Sequence, residues 1–519
     1  LYAAARALGC RRVFAVLRVV FYATCTLGFV RMTGALLLKE DFALLLLGLF
    51  LAVHLWGWRL GSRWWTGAAA LLLVPLLASW HLSQFLVLVV VLGTAVVGDR
   101  ETESGSGIPF RLFLPIAFAL AGVVAGLTPA LWARGFLISL PMAVLYAWVL
   151  VEFAAFRDFR WVRGTAGRTA VLLVVTAGLA GLVLLNRSYT GDYNHVFGLF
   201  AEKLAHGFRL PSDPGRLSFD TRVFWAPPFN TPTWGEIQGK LGYHALVLIP
   251  VLVWSLGAAL YRRTPGPQRA FLLTLPAFLA AYLLIERLGV VFLVFAAIAV
   301  AVFADWLCRR AAPALGSRAL PLVVGVMLVS PVLNLGGNLG DLVRLTRSYR
   351  EGREVRLGAS DQDLWQSWRS LFAWVTTATS GPGSRLPGPP AVFLGEIGVS
   401  PQLLLYTGRP IVLNSQFENA DIRARYADFL AGLYATEEKE LWEFAVAHGA
   451  DFMFINRNFA TGTGPGTLAW QAGLAGPLTE DMTVVRMHFR PTTLTGFRPV
   501  FDNEHYRVFR VLDRPVAPT

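Results

Sequence analysis

The residues with the most chemistry to offer lie in one polar stretch, 187–240. It holds the cations Arg187, Lys203 and Arg222, the imidazole of His195, and the carboxylates Asp192, Asp220 and Glu236. Aromatic residues run between them: Tyr189, Tyr193, Phe197, Phe200, Phe219, Phe224, Trp225, Phe229 and Trp234. A guanidinium is a planar fork of N–H donors that matches phosphate oxygens, so Arg187 and Arg222 are candidate phosphate-binding groups. His195 could add a single ring N–H. Tyr193, Asp220, Trp225, Trp234 and Glu236 are candidates for holding a polar acceptor. Long connections without regular structure are functional or disordered, and this aromatic content argues against disorder. The alternative is structural. Positions 196–208 place apolar residues at helical spacing, which suits an amphipathic helix resting at a membrane surface, where tryptophans favour the headgroup zone.

Outside that stretch the chain is built for lipid. Its 519 residues are 55% hydrophobic and only 15% charged, against about 25% charged in soluble domains. Disordered, collagenous and disulfide-framework classes are excluded, since Cys10, Cys25 and Cys308 are too few and too scattered. The net charge is +13, carried almost wholly by arginine. These arginines form no single patch, so nucleic acid is not an expected partner.

A spanning helix needs about 20 mostly apolar residues. Eleven runs approach that: 14–30, 42–58, 66–79, 85–97, 112–127, 135–151, 170–185, 243–260, 271–285, 290–306 and 320–335. The loops between them alternate in charge. One set carries Arg11, Arg12, Arg59, Arg63, Arg100, Arg111, Arg157, Arg160, Arg163, Arg168, Arg262, Arg263, Arg269, Arg309, Arg310 and Arg318. The other holds little beyond Arg31, Lys39, Arg134 and Arg287. The positive-inside rule makes the first set cytoplasmic. The stretch 187–241 and everything beyond 340 then lie outside, in a multi-pass protein of the cytoplasmic membrane. Residues 1–9 read as the last turns of an earlier span, so the chain is expected to be N-terminally truncated. Lys39, Glu40 and Asp41 close an outer loop; Glu40 and Asp41 could ligate a divalent cation or simply suit a helix N-terminus. Arg18, Glu152 and Asp305 sit at cytoplasmic ends of apolar runs and read as structural, as does Glu286 beside Arg287.

From 341 the pattern changes. A connecting segment, 341–390, ends in a linker rich in Gly, Pro and Ser; then short β-type runs (391–394, 410–413, 451–455) alternate with helical ones (422–434, 439–448), and 505–512 reads as a closing strand. The expected fold is a polytopic α-helical membrane domain, 1–340, followed by an extracytoplasmic α/β domain, 391–519. No phosphate-cradling glycine loop of the P-loop or dinucleotide type occurs.

The segment 372–455 resembles the C-terminal region of the protein tryptophan C-mannosyltransferases (the Dumpy-nineteen-like family), which belong to the GT-C superfamily of membrane glycosyltransferases. Three stretches carry it: LFAWVTTATS, AVFLGEIGVSPQLLLYTGRPIVLNSQFENADIRARYADFLAGLY and ELWEFAVAHGADFMFI. The run Thr407-Gly408-Arg409-Pro410-Ile411-Val412, then Phe417-Glu418 and Arg423, is its most specific part. Leu413-Asn414-Ser415 departs from the family pattern. More loosely, Ser79-Trp80-His81-Leu82-Ser83-Gln84-Phe85 is similar to a short outer turn of that family, and 187–240 to the external loop that meets acceptor and lipid carrier. The resemblance implies transfer of a sugar, mannose in that family, from a polyprenyl- or dolichyl-phosphate donor to a protein or glycan acceptor on the outer face. It implies no cofactor, although a pyrophosphate donor would give Glu40 and Asp41 a metal to hold. It also places the catalytic carboxylate in a first external loop, ahead of Leu1. Other readings are an oligosaccharyltransferase-like enzyme with a different acceptor, a transporter, or a membrane-anchored binding protein.

Overall fold

The computed structural model describes residues 1–29, 39–97, 109–162, 165–225, 229–261, 264–351, 359–379, 390–415 and 419–516. They form two compact units, Leu1–Gly191 with Thr231–Val343, and Asp192–Asn230 with Arg344–Thr519.

The first unit is helical, and its burial is inverted relative to a soluble protein. Every residue from 288 to 302 is buried in the helix Gly289–Leu315 and the turn before it, as expected of a helix that is apolar on all sides. Around it, peripheral helices turn leucine and valine outward: Leu71, Val174, Leu184 and Val253 are all more than two-thirds exposed. A continuous apolar exterior of this kind has lipid as its solvent. The described parts of the eleven apolar runs lie mainly in helix, although 14–30 divides into Arg12–Ala23 and Thr26–Phe29 around Thr24 and Cys25, and 135–151 opens with the 3-10 turn Phe136–Ile138 before the helix Leu140–Phe156. Among the described residues four stretches are long and apolar enough to cross a bilayer: Phe42–Leu60, Ala166–Leu185, Gly266–Leu284 and Glu286–Arg344. The pair Trp234–Leu241 and His244–Leu260, bent by 103°, would make a fifth. Arg63–Ser79, Leu82–Val97, Phe110–Gly126 and Leu140–Phe156 are shorter apolar helices.

Side-chain contacts sort the helix ends into the same two sets as the loop charges. Asp305 pairs with Arg11 and Arg309, while Glu152 pairs with Arg111 and Arg168 at 2.8 and 2.6 Å. Arg59 donates to the carbonyls of Arg6 and Ala7. All of these belong to the arginine-marked ends. At the opposite ends, His244 bridges Thr24 and Ser330 (3.1 and 2.9 Å), Lys240 pairs with Glu286, and Asn334 accepts from the Tyr243 N–H. Glu286 therefore pairs with Lys240, across a turn, rather than serving only its own helix end.

The second unit is a four-stranded sheet with helices on both faces. Its strands are β1 (Phe393–Leu394), β2 (Phe452–Asn456), β3 (Phe497–Asp502) and β4 (Tyr506–Val511), in the order β1-β2-β4-β3. β1 and β2 are parallel; the other pairs are antiparallel. Alternation divides the two cores. Phe393, Phe452, Phe454, Tyr506 and Val508 face the helix Ala359–Thr379 through Leu371 and Val375. Leu394, Met453, Ile455, Phe509 and Val511 face the helices Ala420–Tyr434, Glu438–Ala447 and Thr483–Phe489.

Residues 192–230 fold with this unit, not as an appendage of the helical one. Leu199, Leu217, Phe224 and Trp225 share a core with Trp470, and Val223 joins the core beside the sheet. Burial of these large rings is what draws the segment there.

Candidate functional site

The polar stretch is thus divided. His195, Lys203, Asp220, Arg222 and Trp225 belong to the α/β unit, Trp234 and Glu236 to the helical one. The side chains of Arg187, Tyr193, Glu40 and Asp41 lie outside the described residues, as do Phe417 and Glu418. Among the described residues no group of three or more His, Cys, Asp or Glu is placed to hold a metal ion.

The helix Arg187–Ala205 carries His195 and Lys203 into the α/β unit. His195 is buried and stacks on Phe224, ring centroids 4.6 Å apart. Lys203 is fully buried, donates to the Phe229 carbonyl at 2.6 Å and lies 5.4 Å from the Trp225 ring centre. Burial lowers its pKa to about 8, because the ammonium has given up most of its water.

Arg222 sits at the end of a short helix, Phe219–Phe224, capped by the Ser218 hydroxyl. Its Nε donates to the Gln471 carbonyl at 2.9 Å, and Nη1 to the carbonyls of Leu217 and Pro214 at 2.9 and 3.3 Å. A guanidinium so employed ties three pieces of backbone together. Gly473 allows the approach: its φ is +95°, and a Cβ there would stand 3.3 Å from the guanidinium carbon. Asp220 pairs with Arg423 at 3.3 Å. Burial raises the Asp220 pKa, opposed by the Arg423 charge. Trp225 is a core ring. In the other unit Glu236 completes a capping box with Thr233, accepting the Thr233 N–H at 2.6 Å. Trp234 projects outward, 73% exposed.

One group escaped the sequence reading. Glu396 follows β1 and precedes the helix Ser400–Thr407. It is buried, and its carboxyl makes no hydrogen bond or ion pair among the described residues. Desolvation raises its pKa to about 8, so it is largely protonated at neutral pH. The available signal was a lone carboxylate inside the apolar run 391–399. Gly395 presses the strand end against β2: a Cβ there would fall 2.2 Å from the Phe454 ring. Tyr426, Tyr434 and Tyr506, on elements from both faces of the sheet, feel the Glu396 charge, although burial is the larger cause of their raised pKa values. All three phenols are hydrogen-bonded elsewhere: Tyr426 to Gln471 Oε1, Tyr434 to the Ala460 carbonyl, and Tyr506 with Trp368. A protonated carboxyl, unpaired among the described residues, at the carboxyl end of a parallel strand is placed where α/β sheets bind ligands.

The chain thus joins a helical, lipid-facing unit to a small α/β unit. The particular likeness is to archaeal oligosaccharyltransferase. The enzyme of Archaeoglobus fulgidus in its apo form superposes with a TM-score of 0.59 at 12% identity, covering 97% of this chain and 67% of that one. The oligosaccharyltransferase from the same organism in complex with an inhibitory peptide and a dolichol-phosphate gives 0.58 at 12% identity, covering 99% and 61%. The form tethered to an acceptor peptide containing the NVT sequon gives 0.51 at 12%, again covering 99% and 61%. The likeness is one of fold, and the chain spans between 61% and 67% of the length of these proteins. No family model and no curated protein matches the chain. The resemblance to the tryptophan C-mannosyltransferases is finer than this likeness reaches.

Proposed function

We propose that the chain is an integral-membrane glycosyltransferase that moves a sugar from a polyprenyl- or dolichyl-phosphate-linked donor to a protein acceptor on the outer face of the membrane. The observation that supports it most is a fold shared over almost the whole chain with oligosaccharyltransferases whose complexes hold dolichol-phosphate in one case and an acceptor peptide in another. In this reading all eleven apolar helices span the cytoplasmic membrane, the arginine-marked ends face the cytoplasm, and the α/β unit is extracytoplasmic. The donor's prenyl chain lies along the lipid-facing helices. Its phosphate meets Arg187 or His195, whose N–H donors stabilise the charge that develops as the phosphate leaves; such electrostatic stabilisation is the largest single contribution in many enzymes. Arg222 acts as a positioning residue, because its Nε and Nη1 are engaged by the carbonyls of Gln471, Leu217 and Pro214. Tyr193, Asp220 and Trp234 remain acceptor-side candidates, and Glu396, as a neutral carboxyl, donates a hydrogen bond to the acceptor. The reaction needs no nucleotide and no cofactor.

Mannose is the sugar on the strength of the stretches 371–380, 391–434 and 440–455. The fold neighbours favour a second reading, in which the donor carries an oligosaccharide; a pyrophosphate link would then call for a divalent ion near Glu40 and Asp41. The test is saturable binding of polyprenyl-phosphate-mannose to the reconstituted chain, with a lipid-pyrophosphate oligosaccharide as rival ligand, with and without Mn2+. Preference for the first supports the mannosyl reading and preference for the second the oligosaccharyl one. No saturable binding of either ends the proposal.

A further inference from the structure

At the arginine-marked end of the helical unit a cavity of about 510 Å³ opens between the helices His244–Leu260 and Gly289–Leu315 and the start of Gly266–Leu284. Trp254, Tyr261 and Trp306 form its aromatic walls, with the Trp254 and Trp306 rings 5.5 Å apart. Asp305 and Arg309 form its charged wall, and Thr264 and Gln268 add polar atoms. Asp305 is almost wholly buried and neutralises only one of its two partners, Arg11 and Arg309. The cluster of Asp305 with its two arginines, of which Arg309 faces the cavity, therefore carries a net positive charge. Arg309 is 62% exposed, and among the described residues its Nε and Nη1 make no hydrogen bond. Leading away from the cavity along the first helix, Leu260, Leu256 and Val253 are exposed and apolar.

We infer that this cavity is a binding site for an anionic phospholipid of the surrounding bilayer, at the opposite end of the helical unit from His244 and Lys240. The phosphodiester meets the free N–H groups of Arg309, the headgroup hydroxyls meet Thr264 and Gln268, and an acyl chain follows the Leu260, Leu256 and Val253 face. Basic pockets between spanning helices take anionic headgroups in this manner, and amphipathic rings sit at headgroup depth. The volume falls within the range of small-ligand sites. The site is separate from the sugar donor's, and needs no part of the transfer reaction.

The test uses the full chain in neutral detergent, with bound lipid counted by native mass spectrometry during titration with phosphatidylglycerol or phosphatidylcholine. Gly257 lines the cavity, and a Cβ added there meets no atom within 4 Å. Gly257→Leu therefore fills the space while leaving Asp305 and its arginines intact. Gly178, equally open but on the helix Thr165–Leu185, supplies the control Gly178→Leu. The expected result is about ten-fold tighter binding of phosphatidylglycerol than of phosphatidylcholine. Gly257→Leu should lose about that factor, and Gly178→Leu should keep it. Trp306→Ala, at a ring 43% exposed, should weaken binding in the same direction and serves if the filled variant does not fold. Equal binding of the two lipids, unchanged binding in both Gly257→Leu and Trp306→Ala, or displacement of phosphatidylglycerol by equimolar polyprenyl phosphate would each overturn the inference.

Discussion

The helical unit buries Glu152 and Asp305; the α/β unit buries Glu396 and Glu438. Glu152 and Asp305 each receive two arginines: Glu152 from two other helices, Asp305 from Arg11 and from Arg309 one turn along its own helix. Glu438 pairs with Arg486 at 3.2 Å and accepts the Thr495 and Gly496 N–H groups at 2.9 and 2.6 Å. Among the described residues Glu396 has none of this. Burying a charge without partners is so costly that the group stays neutral instead. Burial alone therefore marks nothing; what separates a pinning carboxylate from a site carboxyl is whether the fold supplies its counter-charge. The same contrast applies to the cations. Arg111 and Arg168 are bound to the Glu152 carboxylate, whereas Arg222 is bound to neutral backbone carbonyls through Nε and Nη1.

The largest effect is expected at Glu152. Glu152→Ala leaves Arg111 and Arg168 facing each other at a buried position, which costs about 3–5 kcal/mol when one partner of a buried pair is lost. Heating followed by size-exclusion of the detergent-solubilised chain should show a sharp fall in the monodisperse fraction. Wild-type behaviour would remove the paired half of the comparison. Glu396→Gln should behave oppositely. With a folded pKa near 8 against an ordinary value of 4.5, Glu396 binds a proton in the folded state that the unfolded chain has released. Stability therefore falls as pH rises through that window, by at most about 1.4 kcal/mol per pH unit, and the loss is complete above pH 8. The amide removes that slope, so unfolding curves of wild type and variant should agree near pH 4 and diverge in favour of the variant by pH 8. Parallel pH profiles would mean that the carboxyl has a partner after all.

Arg222→Ala sharpens the cation side. Three carbonyls lose their donor, at about 1–3 kcal/mol for hydrogen bonds to a charged group. If Arg222 positions rather than binds, donor affinity should survive in the folded fraction while stability drops. Lost affinity at unchanged stability would restore it as a phosphate ligand.

How much of this was legible depends on whether the cause was local. The apolar runs were, because a helix in lipid must satisfy its own backbone and carries its signal in every residue. Glu152 and Asp305 were legible as structural from their place at helix ends, and each is paired there with two arginines. β3 was not: it is an edge strand with Pro499 at a bulge and Arg498 and Val500 exposed, so no apolar alternation announces it. Nor was the grouping of 192–230 with the C-terminal unit, since Arg222 and Gln471 are 249 positions apart and a carbonyl acceptor leaves no trace in the sequence. The carbonyl bonds of Arg222 Nε and Nη1 were invisible for that reason. Glu396 was visible as an oddity but has meaning only once β1 ends just before it.

The smallest effect tests whether Glu236 is a cap or an acceptor contact. Its carboxylate accepts the Thr233 N–H and hydroxyl, and these hydrogen bonds hold its pKa below the ordinary value. Removing a capping partner costs about 1 kcal/mol. Glu236→Gln keeps an acceptor oxygen in the box and should recover most of that loss, whereas Glu236→Ala should not. The linkage runs the other way from Glu396: a lowered folded pKa contributes stability above the ordinary carboxylate range that is lost as pH falls through the folded value. The difference between Glu236→Ala and wild type should therefore shrink on acidification below pH 4.5. A difference in acceptor binding between Glu236→Gln and wild type at matched stability would instead place this carboxylate with the site groups.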